Sequence, residues 1–310
     1  MTENLGAEVL AQVTRGEVVE SQHCGHLVLL HADGTVKFSR GNPAVLIYPR
    51  SSIKSIQAAA MMRAGMSLEP RLLALVASSH SGSEMHQKAV LEILALGRLN
   101  ESALLNTQDR PLGDEERRDW GSKAPTSLAQ NCSGKHAGML LTCVINNWST
   151  HDYLDPGHPL QVLCRMELED LASENISLTS VDGCGAPLFL ISLLGLAQAI
   201  HKITISNDPI HQGILQACRD FPDIVAGKGR LATRKMLEVP GLFMKEGAEG
   251  VLIGSMPDGR TFAFKIEDGS SRPLGALVVA VLNEFDIASP AEDAPIYGGK
   301  KVVGTIRAHL

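Results

Sequence analysis

Val251-Leu252-Ile253-Gly254-Ser255, then Pro257-Asp258-Gly259-Arg260, then Thr261-Phe262-Ala263-Phe264-Lys265-Ile266 make one stretch in which two β-rich apolar runs flank a turn signal. It is expected to form a hairpin, closed by Glu267-Asp268-Gly269. A matching device stands near the start of the chain, where Leu27 to Leu30 and Val36 to Ser39 flank Ala32-Asp33-Gly34. Between the two hairpins the apolar spacing is mostly helical: Ser52 to Ala64, Pro70 to Ser78, Glu84 to Leu96, Ala137 to Asn146, Pro159 to Glu174, Pro187 to His201 and Asp208 to Phe221. Strands early and late around a helical middle imply an α/β (α+β) fold. Its antiparallel or mixed sheet is built where the N- and C-terminal hairpins meet, with helices packed on it. A doubly wound repeat does not fit, because strand and helix do not alternate and no Gly-x-Gly-x-x-Gly follows a strand. We expect a single domain over residues 1–310 with a helical subdomain around 60–230, and a long loop from Asn106 to Thr126.

The bulk properties narrow the function. Apolar runs such as Pro187 to Leu196 and Leu274 to Leu282 fall short of the ~20 residues of a membrane span and are expected to be buried helices. No cationic stretch followed by an apolar segment opens the chain, so a cytoplasmic location is expected. Six scattered cysteines without a Cys-x-x-Cys pair argue for reduced thiols, any special one being a ligand or a reactive group. A net charge of −6 and the lack of a basic block interleaved with aromatics argue against nucleic acid and for a small-molecule substrate.

Five segments could carry chemistry. Ser51-Ser52-Ile53-Lys54 sits at an expected helix start, where residues three apart share a face and Lys54 can lie over the Ser51 hydroxyl. A serine attacks only when a base takes its proton, and a lysine serves when burial or nearby positive charge lowers its pKa. A capping serine beside a solvated lysine has the same sequence. Ala77 to Glu84 delivers Ser78, Ser79, His80, Ser81 and Ser83 after an apolar run, either as a reactive loop or as a helix-to-helix turn. Lys265 lies in an apolar strand and needs a partner if it faces inward, although outward-facing edge lysines are common.

Asn131-Cys132-Ser133-Gly134-Lys135-His136 and Val181-Asp182-Gly183-Cys184-Gly185 bring two thiols, an imidazole, a carboxylate and an amine. These donors suit zinc, yet neither segment has paired-ligand spacing, and isolated buried cysteines look the same. The glycine-rich stretches Gly227 to Arg230 and Lys245 to Gly250 read as close backbone approach to a substrate, or as ordinary turns.

Taken in order, these segments resemble the rhizobial-type L-asparaginase family, also called asparaginase II. The match runs through Gly41-Asn42-Pro43, Arg50 to Lys54 with Gln57, Ala77 to Gly82, Asn131 to Met139, Asp182-Gly183-Cys184, Gly227 to Arg230, Gly247 to Gly250 and Lys265 to Gly269. The resemblance implies hydrolysis of L-asparagine to L-aspartate and ammonia, on a fold similar to serine β-lactamases and glutaminases and in a homodimer. It implies two serine–lysine tandems, Ser51 with Lys54 and Ser79 with Lys265, with Ser51 the nucleophile. It implies substrate-binding roles for Arg50, His80, Asn131, His136, Asp182, Arg230 and Gly247. It also implies a zinc ion held by Cys132, Lys135 and Cys184, which requires Lys135 to be neutral and its pKa depressed. Ser83, followed by Glu84, stands where the family usually has Glu, and Ser55 where it usually has Pro. The competing readings are a glutaminase or β-lactam-reactive acyl hydrolase, and a catalytically weak, zinc-dependent asparagine-binding protein.

Overall fold

The computed structural model describes residues 6–292 and 294–310. In chain order the strands are β1 (Glu8–Arg15), β2 (Val18–Leu30), β3 (Val36–Arg40), β4 (Leu46–Ile47), β5 (Thr179–Val181), β6 (Pro187–Phe189), β7 (Ile191–Ser192), β8 (Phe243–Glu246), β9 (Val251–Ser255), β10 (Thr261–Ile266), β11 (Pro295–Gly298) and β12 (Lys301–Ala308). The helices are α1 (Lys54–Arg63), α2 (Pro70–Val76), α3 (Glu84–Leu96), α4 (Asp114–Trp120), α5 (Ser133–Ile145), α6 (Pro159–Ala172), α7 (Leu193–Ile205), α8 (Pro209–Asp220), α9 (Pro222–Val225), α10 (Leu231–Glu238) and α11 (Leu274–Glu284).

The two hairpins meet as the sequence implies. Thr261–Ile266 of β10 pairs antiparallel with Leu30–Gly25 of β2, and the main sheet runs β11-β12-β1-β2-β10-β9-β8, with β3 also on β2. β2 is long enough to serve two neighbours along one edge, β1 on its first half and β3 on its second. Every residue of β9, and all of β10 except Lys265, is buried. A strand buried on both faces needs cover on both, which explains why these runs are continuously apolar rather than alternating. Helix α7 packs on β2, β9 and β10, and α11 on β1 and β12. Among the described residues no helix is long and apolar enough to cross a membrane. All six cysteines are free thiols.

Three local expectations change. The run from Pro187 enters as β6 and β7, and helix α7 begins only at Leu193, where the Ser192 hydroxyl accepts the Gly195 N–H at 2.8 Å as an N-cap. A short, unbroken apolar run fits a buried strand and a buried helix equally, so its periodicity could not separate them. The stretch expected as the long loop holds α4, and α5 starts at Ser133 rather than Ala137. The outer strands β1, β11 and β12 were not foreseen at all.

For the site, the useful consequence is convergence. Helices α1, α2 and α5 are mutually packed, and the turn before α1 lies against β8 and β9. The residues that begin α1, follow α2 and begin α5 are therefore brought to the β8 edge.

Candidate active site

A single 3-10 turn, Arg50–Ile53, leads into α1. Arg50 adopts a left-handed φ of 54°, a conformation that costs a residue with a Cβ roughly 1 kcal/mol and persists only where the surroundings enforce it. Asp182 holds its side chain, accepting from Arg50 Nε at 2.7 Å. The turn leaves Ser51 on a cleft wall with its hydroxyl outside any protein hydrogen bond among the described residues. Lys54 turns the other way and is 1% exposed. Its Nζ donates to Ser78 O at 2.6 Å and Ser79 Oγ at 3.0 Å, and lies 3.1 Å from Cys132 Sγ. The structure thus joins Lys54 directly to Ser79, while Ser51 shares the cleft without a bond to Lys54.

Ser79 is fixed by its backbone: its N–H donates to Val225 O at 2.9 Å, and the next N–H, of His80, to Asn131 O at 3.1 Å. A second lysine reaches the same hydroxyl. Lys245 on β8 donates from Nζ to Ser79 Oγ at 2.9 Å and to Glu246 O at 2.6 Å. Burial pushes both amines below their ordinary values. For Lys54, the cation Lys135 adds to this while the Cys132 and Cys184 sulfurs oppose it; for Lys245, the nearby Lys54 and Arg230 deepen a large downward shift. Both shifts favour the neutral amine, the form that can take a proton. With two amines donating to it, the Ser79 oxygen has both lone pairs engaged and keeps its O–H to give.

The cleft above these groups holds about 580 Å³, enough for a small substrate, and is lined by Ser51, Ser79, Asn131, Arg230, Gly247 and Asp114 among others. Arg230 donates to the Ser79 carbonyl and to Glu246, so it braces the loop bearing Ser79 from the cleft side. Gly247 is needed for close approach: a Cβ there would stand 2.8 Å from Pro49 O, forcing the end of β8 away from the Ser51 turn.

Beneath Lys54 the two cysteine segments come together. Cys132, Cys184 and Ala186 form a small buried cluster, and Lys135 Nζ lies 3.4 Å from Cys184 Sγ. The Cys132 thiol is pushed up to about 12 by its hydrogen bond to Cys184 and by burial. Cys184 is pushed down to about 5, first by that same bond and then by the Lys135 cation. Two soft sulfurs, with Cys184 the one favoured as thiolate, and an adjacent amine are a donor set that fits zinc. Burial alone would lower Lys135, but Cys184, Cys132 and Asp182 outweigh it and hold the amine above its ordinary value without a metal. Among the described residues, no group of three or more His, Cys, Asp or Glu side chains could hold a metal ion.

Several expected residues are placed otherwise. Lys265 is not the partner of Ser79. It stands on β10, which is separated from β8 by β9, and adjacent strands lie about 4.8 Å apart. Its Nζ turns back to Ile266 O, near Glu249, Asp268 and Glu267. His80 is fully buried: its Nδ1 accepts the Gly82 N–H at 3.1 Å, and its Nε2 bonds Ser133 Oγ at 2.9 Å. It therefore shapes the Ser79 loop rather than lining the cleft. His136 is also buried, with Nδ1 2.8 Å from Tyr153 OH and Nε2 without a partner among the described residues. Arg50 and Asp182 bind each other. Ser83 pairs with His86 Nδ1 at 2.7 Å, Glu84 pairs with Lys88 on the surface, and Ser55 is buried in α1.

Sequence reasoning missed Lys245 as a partner of Ser79. The signal was present, since Phe243-Met244-Lys245 puts a lysine in an apolar strand just before a glycine-rich turn, but the same description fits Lys265, and only pairing across the sheet tells them apart.

The sequence profile of the L-asparaginase II family matches residues 11–308. No curated protein sequence matches significantly. Solved structures share the general architecture at low identity. A β-lactamase from Mycobacterium bovis is 14% identical, covering 84% of this chain and 94% of its own, with a TM-score of 0.46. An octameric penicillin-binding protein homologue from Pyrococcus abyssi is 13% identical, covering 85% and 74%, at 0.44. A Bacillus subtilis glutaminase, in covalent complex with 5-oxo-L-norleucine, is 14% identical, covering 85% and 88%, at 0.39.

Proposed function

The chain belongs to the L-asparaginase II family, and from that premise we propose that it is an amidohydrolase that cleaves the side-chain amide of L-asparagine to give L-aspartate and ammonia. The observation that carries the proposal is the Ser79 hydroxyl held between two buried lysines, 3.0 Å from Lys54 and 2.9 Å from Lys245, on the wall of a cleft it shares with Ser51.

In this reading Ser51 attacks. Its hydroxyl is unbonded and open to the cleft, whereas the Ser79 oxygen already accepts two hydrogen bonds and makes a poor nucleophile. The Ser51 proton passes to Lys54, whose burial favours the neutral amine; the two groups are not bonded in the free site, so this transfer requires that substrate binding bring them together. As the C–N bond breaks, Ser79 gives its proton to the departing nitrogen and is reprotonated from the lysine side. Ammonia leaves, Ser51 carries an aspartyl ester, and water hydrolyses it by the reverse relay. Arg230, Asn131 and Gly247 line the substrate space.

Cys132, Lys135 and Cys184 would hold a zinc ion, which when bound supplies positive charge and fixes the segments that carry them. Lys54 touches Cys132 and Ser79 at once, so the order of the thiol cluster bears on the placement of the base. A homodimeric state and a cytoplasmic location belong to the same proposal.

The direct experiment is to incubate purified protein with asparagine and with glutamine and to measure ammonia. Release from asparagine at a rate at least tenfold above glutamine supports the reading; release from neither refutes it.

A further inference from the structure

Two cavities meet at Gly113, Asp114 and Arg230. One is the cleft that contains Ser51 and Ser79; the other, about 280 Å³, lies beside it and is lined largely by charged groups, among them Lys228, Arg118 and Glu116. The neck between them therefore offers one cation and one anion to whatever enters the cleft.

These charges differ in how far they are already satisfied. Glu246, the other carboxylate on the cleft wall, has both oxygens engaged, one by Arg230 and one by the Ala232 N–H at 3.2 Å. Arg230 keeps N–H donors beyond those it gives to Glu246, Ser79 O and Ala226 O. Asp114 forms no hydrogen bond or ion pair among the described residues. Its place is nevertheless fixed. Gly113, immediately before it, donates its N–H to Ser81 O at 3.0 Å, and a Cβ at Gly113 would come within 2.8 Å of Ser81 Cβ. One position further along the same loop, a Cβ on Gly82 would stand 3.0 Å from Pro111 Cα. Residues 111–114 are thus docked by main-chain contact on the loop that presents Ser79, and the Asp114 carboxylate, unpaired among the described residues, lines the same cleft as Ser51 and Ser79.

An α-amino acid carries an ammonium and a carboxylate on one carbon, and a site that selects it must oppose both. We propose that Asp114 is the specificity residue for the substrate's α-ammonium group, with Arg230 across the neck for the α-carboxylate, so that the side-chain amide reaches Ser51 and Ser79. The inference rests on the amidohydrolase reading above. An acid in the first turn of a helix also suits the helix dipole. That structural role is blind to the substrate, so substrates with and without the ammonium separate the two.

The test compares wild-type protein, Asp114→Asn and Asp114→Glu on L-asparagine and on succinamate, which has the same amide and carboxylate but no ammonium. Asp114 is open to water, so the loss of one charge-assisted hydrogen bond is expected at the modest end, about tenfold. Asp114→Asn should raise KM for asparagine by about that factor with kcat held, leave succinamate within about twofold, and keep the melting temperature. Asp114→Glu should recover part of the loss. Equal losses on both substrates, or an unchanged KM for asparagine, would overturn the assignment. Calorimetry with L-aspartate and succinate reads the same contact without turnover, which keeps the two readings apart. If the wild-type protein released no ammonia, the activity would fall, yet a preference for aspartate that Asp114→Asn abolishes would still support the Asp114 contact. A wild-type protein that does not prefer aspartate over succinate would overturn it.

Discussion

Lys245 Nζ lies 2.9 Å from Ser79 Oγ across 166 residues of chain. Lys245 comes from an edge strand of the sheet and Ser79 from the loop after a helix, so the contact spans the junction between sheet and helices. It also shares its acceptor with Lys54, and an amine that contacts a hydroxyl already bound to another amine is under pressure to give up its proton.

The first prediction follows from that contact. Lys245→Met should cut kcat for asparagine by on the order of a hundredfold or more, the usual scale for removing a proton-transfer group. Lys265→Met should leave kcat within about threefold, because its amine turns to Ile266 O instead. Steady-state ammonia release from both variants decides this, and the reverse ranking would return the second tandem to Lys265.

The pairing of β2 with β10 was readable because both hairpins announce themselves by turn residues between apolar runs, and the helices were readable from their spacing. Ser51, Lys54, Ser79, Cys132 and Cys184 stood out as residue types with chemistry. The choice between Lys245 and Lys265 was hidden, because each lies in an apolar strand beside glycines, and strand order is set by contacts distant in sequence. The ion pair between Arg50 and Asp182 was hidden for the same reason: nothing local in either segment says that the hairpin after β5 reaches the turn before α1.

Burying Lys245 also has a stability consequence with a definite sign. Its pKa is lowered well below 10.5 in the folded protein. Between the lowered value and 10.5 the unfolded chain binds the proton that the folded chain lacks, so this group's contribution to stability rises with pH over that window and is at its worst below it. Lys245→Met removes the penalty while keeping most of the volume. The variant should melt at a higher temperature than wild type near neutral pH, with the gap closing as pH approaches 10. Melting curves at pH 6, 8 and 10 test this; a variant that is less stable throughout would show that the amine's hydrogen bonds outweigh its desolvation.

Zinc binding should be proton-linked. Without metal, Cys132 is pushed up to about 12 and Lys135 is held above its ordinary value, so both carry protons at neutral pH that coordination would release. Affinity is then expected to fall about tenfold per unit of pH decrease for each proton released. Competition with a chromophoric chelator at pH 6, 7 and 8 measures the slope. Cys132→Ser and Cys184→Ser should each lower zinc content and raise KM more than they reduce kcat. Unchanged zinc by elemental analysis in both variants would remove these residues from the metal site.

The last prediction concerns the attacking hydroxyl. Ser51 and Ser79 both line the cleft, and Ser79 alone contacts the lysines, so proximity to a base by itself would select Ser79. Lone-pair occupancy points the other way: the Ser79 oxygen accepts from two amines, while the Ser51 oxygen is unbonded and is presented by a turn whose left-handed Arg50 is clamped by Asp182. A nucleophile needs a free lone pair aimed at the substrate, and a proton relay needs the contacts that Ser79 has. Ser51→Ala should therefore abolish turnover and covalent labelling together. Ser79→Ala should slow ammonia release by orders of magnitude yet still permit an acyl-enzyme with an aspartate β-ester or β-hydroxamate, whose leaving groups depend less on a donated proton. Lys54→Met should follow Ser51→Ala, since an unactivated hydroxyl is nearly as ineffective as a missing one. Quenching each reaction and mapping the adduct by peptide mass spectrometry distinguishes the two serines. An adduct on Ser79, or full activity in Ser51→Ala, would exchange their roles and make Ser51 the group that assists the leaving amine.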